Sequence, residues 1–211
     1  MEYKIPQLVK GTRIITGNQA KDRRNILNEM IEIAEIDGFN EIIIPSIEKS
    51  EIYTDKAGPE ILNQMYNFPD KGNRDLCLRP EGTATIQVLA DKKFKYSKNV
   101  KLWYFERCWR YEKPQAGRYR EFFQFGVEWI NPTDIVEAKE ELILMARNMV
   151  ELKTMDYDLN VSAKRGLSYY EGDGFEISVD SLGAQKQVDG GGTYKQGIGF
   201  AVGFDRLMLC D

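Results

Sequence analysis

The sequence predicts a mixed, largely antiparallel α+β fold, with helices packed against one face of a sheet. Three observations point there. Long apolar runs at strand spacing alternate with few amphipathic helices. Clusters of Pro, Gly, Asn and Asp join neighbouring runs as hairpins. No internal repeat or low-complexity linker divides the 211 residues.

The elements follow in order. Asp22 to Asp37 carries Ile26, Met30, Ile33 and Ala34 on one helical face, and Gly38 closes that helix. Glu41 to Pro45 reads as a short Ile-rich strand. Met65 to Phe68 and Asp75 to Leu78 flank the turn residues Pro69-Asp70-Lys71-Gly72-Asn73, which predicts a hairpin. Arg79-Pro80-Glu81-Gly82-Thr83 then leads into a short helix through Ala90. Leu102 to Phe105 and Phe123 to Ile130 are the arms of a central antiparallel hairpin.

Asn131 and Pro132 predict the N-cap and first position of a helix reaching about Leu152. Its buried stripe is Ile135, Ala138, Leu142, Met145 and Met149. Phe175, Ile177 and Val179 alternate with Glu176, Ser178 and Asp180, the pattern of a half-buried strand. Gly190-Gly191-Gly192 reads as a flexible break, and Gly197 to Gly203 as a last strand turning into a helix at Phe204.

Composition narrows the chemistry. A net charge of −4 offers no broad basic surface to draw in nucleic acid, so any RNA contact has to be local. No run is long and apolar enough for a membrane span, and the polar start is unlike a signal peptide, which favours the cytoplasm. Cys77, Cys108 and Cys210 are scattered and read as reduced structural thiols, with no zinc spacing. Histidine is absent, which removes Ser-His-Asp hydrolases, H-E-x-x-H zincins and most imidazole acid/base catalysis.

What remains is carboxylates, arginines and the substrate's own groups. Arg110, Arg118, Arg165 and Arg206 each sit beside a turn or strand end, next to a Gly or an aromatic. A guanidinium fork fits phosphate oxygens bidentately, and the aromatics near it offer faces for a base. The hairpin alone is equally compatible with a solvated charged surface, and one such arginine is usually a surface residue; four at separate element ends near carboxylates point to a polyanion site. Gly199 to Gly203 followed by Phe204-Asp205-Arg206 is a tight strand-to-helix junction that lets a flat ligand approach the backbone, or simply packs helix on sheet.

These residues resemble the class II aminoacyl-tRNA synthetases, and among them the histidyl-tRNA synthetase family, from about Lys10 to the last residue. Residues 38–50 resemble motif 1, 102–130 motif 2 and 197–211 motif 3 of a catalytic core spanning residues 1–211. Four longer strings carry the subfamily: Leu78-Arg79-Pro80-Glu81-Gly82-Thr83-Ala84, Pro114-Gln115-Ala116-Gly117-Arg118-Tyr119-Arg120, Arg165-Gly166-Leu167-Ser168-Tyr169-Tyr170, and Gly191-Gly192-Thr193-Tyr194.

The resemblance implies an antiparallel sheet flanked by helices and an ATP-dependent histidine–tRNA ligase activity that releases AMP and pyrophosphate, with ATP and Mg²⁺ as cofactors. Arg110, Arg165 and Arg206 would be catalytic, Arg110 on the ATP α-phosphate and Arg118 with Arg206 on the β,γ tail. Phe122 would stack on adenine and Glu112 would contact its amino edge. Glu81 and Thr83 would bind the α-ammonium, Gln124 and Arg165 the carboxylate, and Glu128 and Tyr170 the imidazole, with Tyr169 and Tyr194 in the same pocket. Arg165 would stand where other class II enzymes rely on a metal, and no protein metal ligand is implied. Such chemistry needs no histidine on the enzyme. The amino-acid carboxylate is already an anion and attacks phosphorus without a protein base, given alignment and charge neutralisation.

The chain departs from the family at Ser168, where an aspartate is usual, at Thr193, where an arginine is usual, and at Asp205, which replaces a glutamate. The resemblance puts each near the pocket, which relaxes the expected strictness for histidine. The expected architecture is reduced, with a short bridge in place of the insertion before Arg165 and no anticodon-binding domain. A homodimer through motif 1 is implied, and contact with the tRNA(His) acceptor end is expected to be weak. Two other functions fit the same strings: a non-catalytic regulatory paralogue partnering ATP phosphoribosyltransferase, and an adenylating enzyme with a non-tRNA acceptor.

Overall fold

The computed structural model describes residues 7–54, 59–164 and 166–210. In chain order its elements are α1 (Gly17–Ile36), β1 (Asn40–Glu41), β2 (Ile47–Lys49), α2 (Glu51–Thr54), α3 (Pro59–Leu62), β3 (Tyr66–Pro69), β4 (Asp75–Leu78), α4 (Thr83–Lys92), β5 (Val100–Trp109) and β6 (Glu121–Ile130). There follow α5 (Ile135–Glu151), β7 (Asp158–Ala163), β8 (Tyr170–Ser178), a 3-10 turn over Asp180–Gln185, β9 (Gln187–Tyr194), β10 (Gly197–Gly203) and α6 (Phe204–Leu207).

Seven strands form one sheet in the order β1-β5-β6-β10-β9-β8-β7, antiparallel at every pairing except β1 with β5. The α+β expectation is met. Strand periodicity divides the residues of β5, β6, β9 and β10 between two faces. Trp103, Phe125, Val127, Val188, Phe200 and Val202 face α1 and α5, whose Met30, Ala34, Ala138, Leu142, Met145 and Met149 complete the main core. Their neighbours in sequence, among them Tyr104, Gln124, Glu128, Asp189 and Ala201, lie on the other face. There α4 covers one corner, with Ile86 and Ala90 against Leu102, Tyr104 and Ile130. Helices therefore occupy both faces, not one as predicted, and the second face is left open beside α4.

Several local expectations need correction. The segment predicted as a strand over Glu41 to Pro45 pairs only at Asn40–Glu41. Beyond it Ile44 donates its N–H to Glu106 Oε1 at 3.1 Å, and the carbonyls of Ile44 and Pro45 turn to Arg79. Side chains have taken the groups a ladder would need. The N-cap of α5 is Asp134, whose Oδ1 accepts from Val136 and Glu137, and not Asn131. Asn131 has φ +47° and spends its side-chain N–H groups on the carbonyls of Phe94 and Ser97, tying the end of β6 to the turn before β5. Ile135, at the first position of α5, is 40% exposed and leaves the predicted stripe.

The largest correction is Gly190-Gly191-Gly192. These residues are buried inside β9, all three paired with β10 on one side and Gly190 and Gly191 with β8 on the other. Glycine is required by close approach, because a Cβ on Gly191 would lie 2.6 Å from Gly199 O, Phe175 Cζ and Phe200 Cβ. Gly191→Ala should therefore lower stability by about 1–3 kcal/mol, the usual cost of overpacking. Urea unfolding checks this; a flexible break would instead tolerate alanine or gain from it.

Candidate active site

The open face of the sheet is organised around Arg79, a fully buried arginine between β4 and α4. Its Nη1 donates to Ile44 O at 2.7 Å and Pro45 O at 2.5 Å, and its Nη2 to Glu106 Oε2 at 2.7 Å and Arg107 O at 2.9 Å. Its backbone joins in, donating to Ser46 O and accepting from Trp109 N. One residue thus fixes the segment after β1, the end of β5 and the turn that carries Pro80 to Thr83. Pro80 O in turn accepts from Arg110 Nε at 2.9 Å.

Two glutamates meet at that turn in different ways, one its own and one from β6. Glu81 folds back to accept the N–H groups of Thr83 and Ala84 at 2.7 and 3.0 Å, where the start of α4 leaves donors free. Tyr169 donates to the same carboxylate at 3.2 Å. Glu128, on β6, is wholly buried and accepts from Thr83 Oγ1 at 2.6 Å and Tyr194 Oη at 2.8 Å. Burial pushes its carboxyl up to about 8, against the pull of those two donors.

A cavity of about 410 Å³ opens above them. Glu81, Thr83, Gln124, Tyr169 and Tyr170 line one part, with Arg110, Glu112, Arg118, Phe122 and Arg206 lining another. Gln124 is oriented by Cys108, whose thiol donates to its Oε1 at 3.3 Å and, pushed up to about 12 by burial, keeps its proton. Arg110 lies over the Phe122 ring, 5.3 Å from its centroid, and Arg118 pairs with Glu112. Arg206 donates to Gly117 O at 2.7 Å, Gln187 O at 2.8 Å and Gln185 Oε1 at 3.2 Å. Burial, then the neighbouring Arg110 and Arg118, lower its guanidinium to about 10. Three cations crowded in a partly buried wall favour a multiply charged anion between them.

The structure brings together most of the residues the sequence singled out. Glu128 and Tyr194 stand behind the cavity wall, not in its lining, and reach it through Thr83. Arg165 lies outside the described residues. Of the three departures from the family pattern, Asp205 lines the cavity, whereas Ser168 and Thr193 do not. Gln185, Gln187 and Asp189 form part of the lining that sequence reasoning missed. Reading Gly190–Gly192 as strand would have exposed Gln187 and Asp189, since Val188 is buried in the core and its neighbours must face the other way, whereas Gln185 belongs to the turn before β9.

Comparison with known proteins agrees with this geometry. The family model for histidyl-tRNA synthetase matches residues 11–162. The histidine–tRNA ligase of Archaeoglobus fulgidus is 30% identical over 303 residues, covering 94% of this chain and 74% of that protein. That span exceeds the 211 residues here, so the relative holds residues within it that this chain lacks. The Pyrococcus horikoshii ligase is 37% identical over 184 residues, covering 86% of this chain and 42% of the relative. Among solved structures, apo S. aureus histidyl-tRNA synthetase superposes with TM-score 0.80 at 25% identity, over 97% of this chain and 70% of that one. An ATP phosphoribosyltransferase regulatory subunit/histidyl-tRNA synthetase from Bacillus halodurans has the same fold, with TM-score 0.80 at 17% identity, over 98% of this chain and 84% of that one.

The buried carboxylates make stability depend on pH. Glu128 holds its proton up to about 8 in the folded state against an ordinary value of 4.5, so folding takes up a proton between those limits. Stability should fall as pH rises through that window and level off above it. Glu48 and Glu81, both raised first by burial, slope the same way. Glu128→Gln should flatten the decline, measured as urea midpoints between about pH 5 and 8.

Proposed function

The chain belongs to the histidyl-tRNA synthetase family, and we propose that it activates histidine with ATP to give histidyl-adenylate and pyrophosphate. The observation that carries the reading is the convergence of Arg110, Arg118 and Arg206 on a cavity whose remaining lining holds Glu81, Thr83, Gln124, Tyr169 and Tyr170. In this reading a histidine carboxylate oxygen attacks the α-phosphorus, the bond from that phosphorus to the bridging oxygen breaks, and pyrophosphate leaves with the electron pair. Arg110 meets the charge growing on the α-phosphate, and Arg118 with Arg206 holds the β,γ end. Phe122 offers a face to adenine while Glu112 meets its amino edge. Arg165 is assigned to the carboxylate by its motif alone.

Histidine's ammonium would be met by Glu81 and Thr83, its carboxylate by Gln124, and its imidazole by Tyr170, with Glu128 and Tyr194 behind. Mg²⁺ would accompany the nucleotide and neutralise phosphate charge. The carboxylate of Asp189, buried in the cavity lining, is a hard oxygen donor that fits such an ion.

The reading extends to a cytoplasmic homodimer acting weakly on the tRNA(His) acceptor end. The homodimer alone has support in the structure, in the exposed apolar side chains of Ile43 and Ile47, 81% and 54% accessible, on either side of Pro45. A regulatory role, favoured by the likeness to the Bacillus halodurans protein, would leave the arginine wall without a ligand. Adenylation for a non-tRNA acceptor would use the same site.

Histidine-dependent exchange of pyrophosphate into ATP tests the activation step. Arg110→Ala should reduce it by about 10²–10³-fold, the usual loss for one donor to developing charge. Wild-type exchange no greater than that of the variant, or exchange independent of histidine, would contradict the reading.

A further inference from the structure

Two arginines of the wall, Arg110 and Arg118, are carried by the loop between β5 and β6, a segment with little regular structure of its own, and the third, Arg206, by α6. The loop's internal backbone pairing is sparse: a bridge between Gln115 and Arg118, and the Arg110 N–H donated to Arg120 O at 3.0 Å. Gln64, Pro80 and Arg206 each bond it at one point, and a strap from the other end of the chain braces it at Tyr119 and Arg120. Arg120 donates its backbone N–H to Gly11 O at 2.9 Å, and Gly11 has φ +87°, a conformation that strains any other residue. Two residues on, the Arg13 guanidinium lies flat on the Tyr119 ring, 3.3 Å from its centroid.

Arg13 also reaches the opposite wall. It pairs with Asp205, whose Oδ1 takes Arg23 as well at 2.9 Å. Asp205 Oδ2 accepts the Phe123 N–H at 2.6 Å, next to Phe122 and Gln124. The β6–β10 ladder ends one residue away, at Gln124 opposite Gly203, so the carboxylate extends the pairing past the last strand residue. Behind this partition is a second cavity, of about 270 Å³, lined by Arg13, Arg23, Arg107 and Glu121, and sharing Phe123 and Asp205 with the first. Asp205 is buried and adjoins Arg206.

We infer that Arg13 is a positioning residue for the ATP end of the site, acting on Arg118 through the Tyr119 ring and on Arg206 through Asp205. The inference rests on the reading that this cavity binds ATP. Arg13 does not line that cavity, so its effect is transmitted by the two groups it clamps. The stacked contact needs a planar cation and the Asp205 contact needs only a charge. The two parts are therefore separable by substitution.

The test is direct titration of the full chain with ATP and, separately, with histidine. Arg13→Ala should weaken ATP binding by about tenfold, the scale of one lost cation–π and ion-pair clamp, and change histidine binding less than about twofold. Arg13→Lys should fall between, keeping the charge on Asp205 but not the stack. Tyr119→Leu should reproduce part of the ATP loss, and the double variant should lose less than the sum of both. If Arg13→Ala fails to fold, Arg13→Lys and Tyr119→Leu carry the comparison.

Equal weakening of ATP and histidine, or ATP binding unchanged in the variants, would overturn the inference and leave the functional reading standing. A wild-type protein that binds no ATP would overturn both, and the wild-type titration alone distinguishes that case.

Discussion

Arg79 is the constraint on which the site depends. A guanidinium with no solvent exposure is costly to bury, and is tolerated only when its donors are met by well-placed acceptors. Here four oxygens meet its two Nη groups, while Nε has no hydrogen-bond partner among the described residues, and they come from two separate stretches, Ile44 and Pro45 on one side and Glu106 and Arg107 on the other. Satisfying one residue therefore fixes where the chain after β1 leaves the sheet, where β5 ends, and where Pro80 to Thr83 turn. The strand predicted over Glu41 to Pro45 is short for this reason. Its carbonyls are used by Arg79 in place of a ladder.

From that anchor the cavity divides into two electrostatic regions. On one side, Arg206 is lowered to about 10, first by burial and then by the nearby Arg110 and Arg118. On the other, Glu81 and Glu128 are pushed up by burial and satisfied by hydroxyls and helix N–H groups. An anionic ligand beside a cationic or neutral one would relieve both. The polarity is built by strand alternation, since Gln124, Glu128 and Asp189 are each the sequence neighbour of a core residue.

Much of this was legible in the sequence. Gly197 to Gly203 and Phe204 stand where their residue types put them, and the hairpin arms around Pro69 to Asn73 pair as read. The strings around Glu81, Arg110 and Tyr169 do meet in one cavity. What failed shares one cause: a side chain or a close approach outside the local window decided the outcome. Gly190–Gly192 resembles a break until β8 and β10 are packed against it. Asn131 has cap chemistry, yet Phe94 and Ser97 claim its amide. Arg13 and Asp205, 192 residues apart, share an ion pair that no spacing rule encodes.

The central claim is that one buried guanidinium holds three distant segments as a unit, and amide hydrogen exchange in Arg79→Gln tests it most directly. The account predicts that residues 42–47, 79–84 and 106–110 lose protection together, while α5 and its facing strands keep theirs. Loss confined to residues 79–84, with Ile44 and Trp109 still protected, would contradict it.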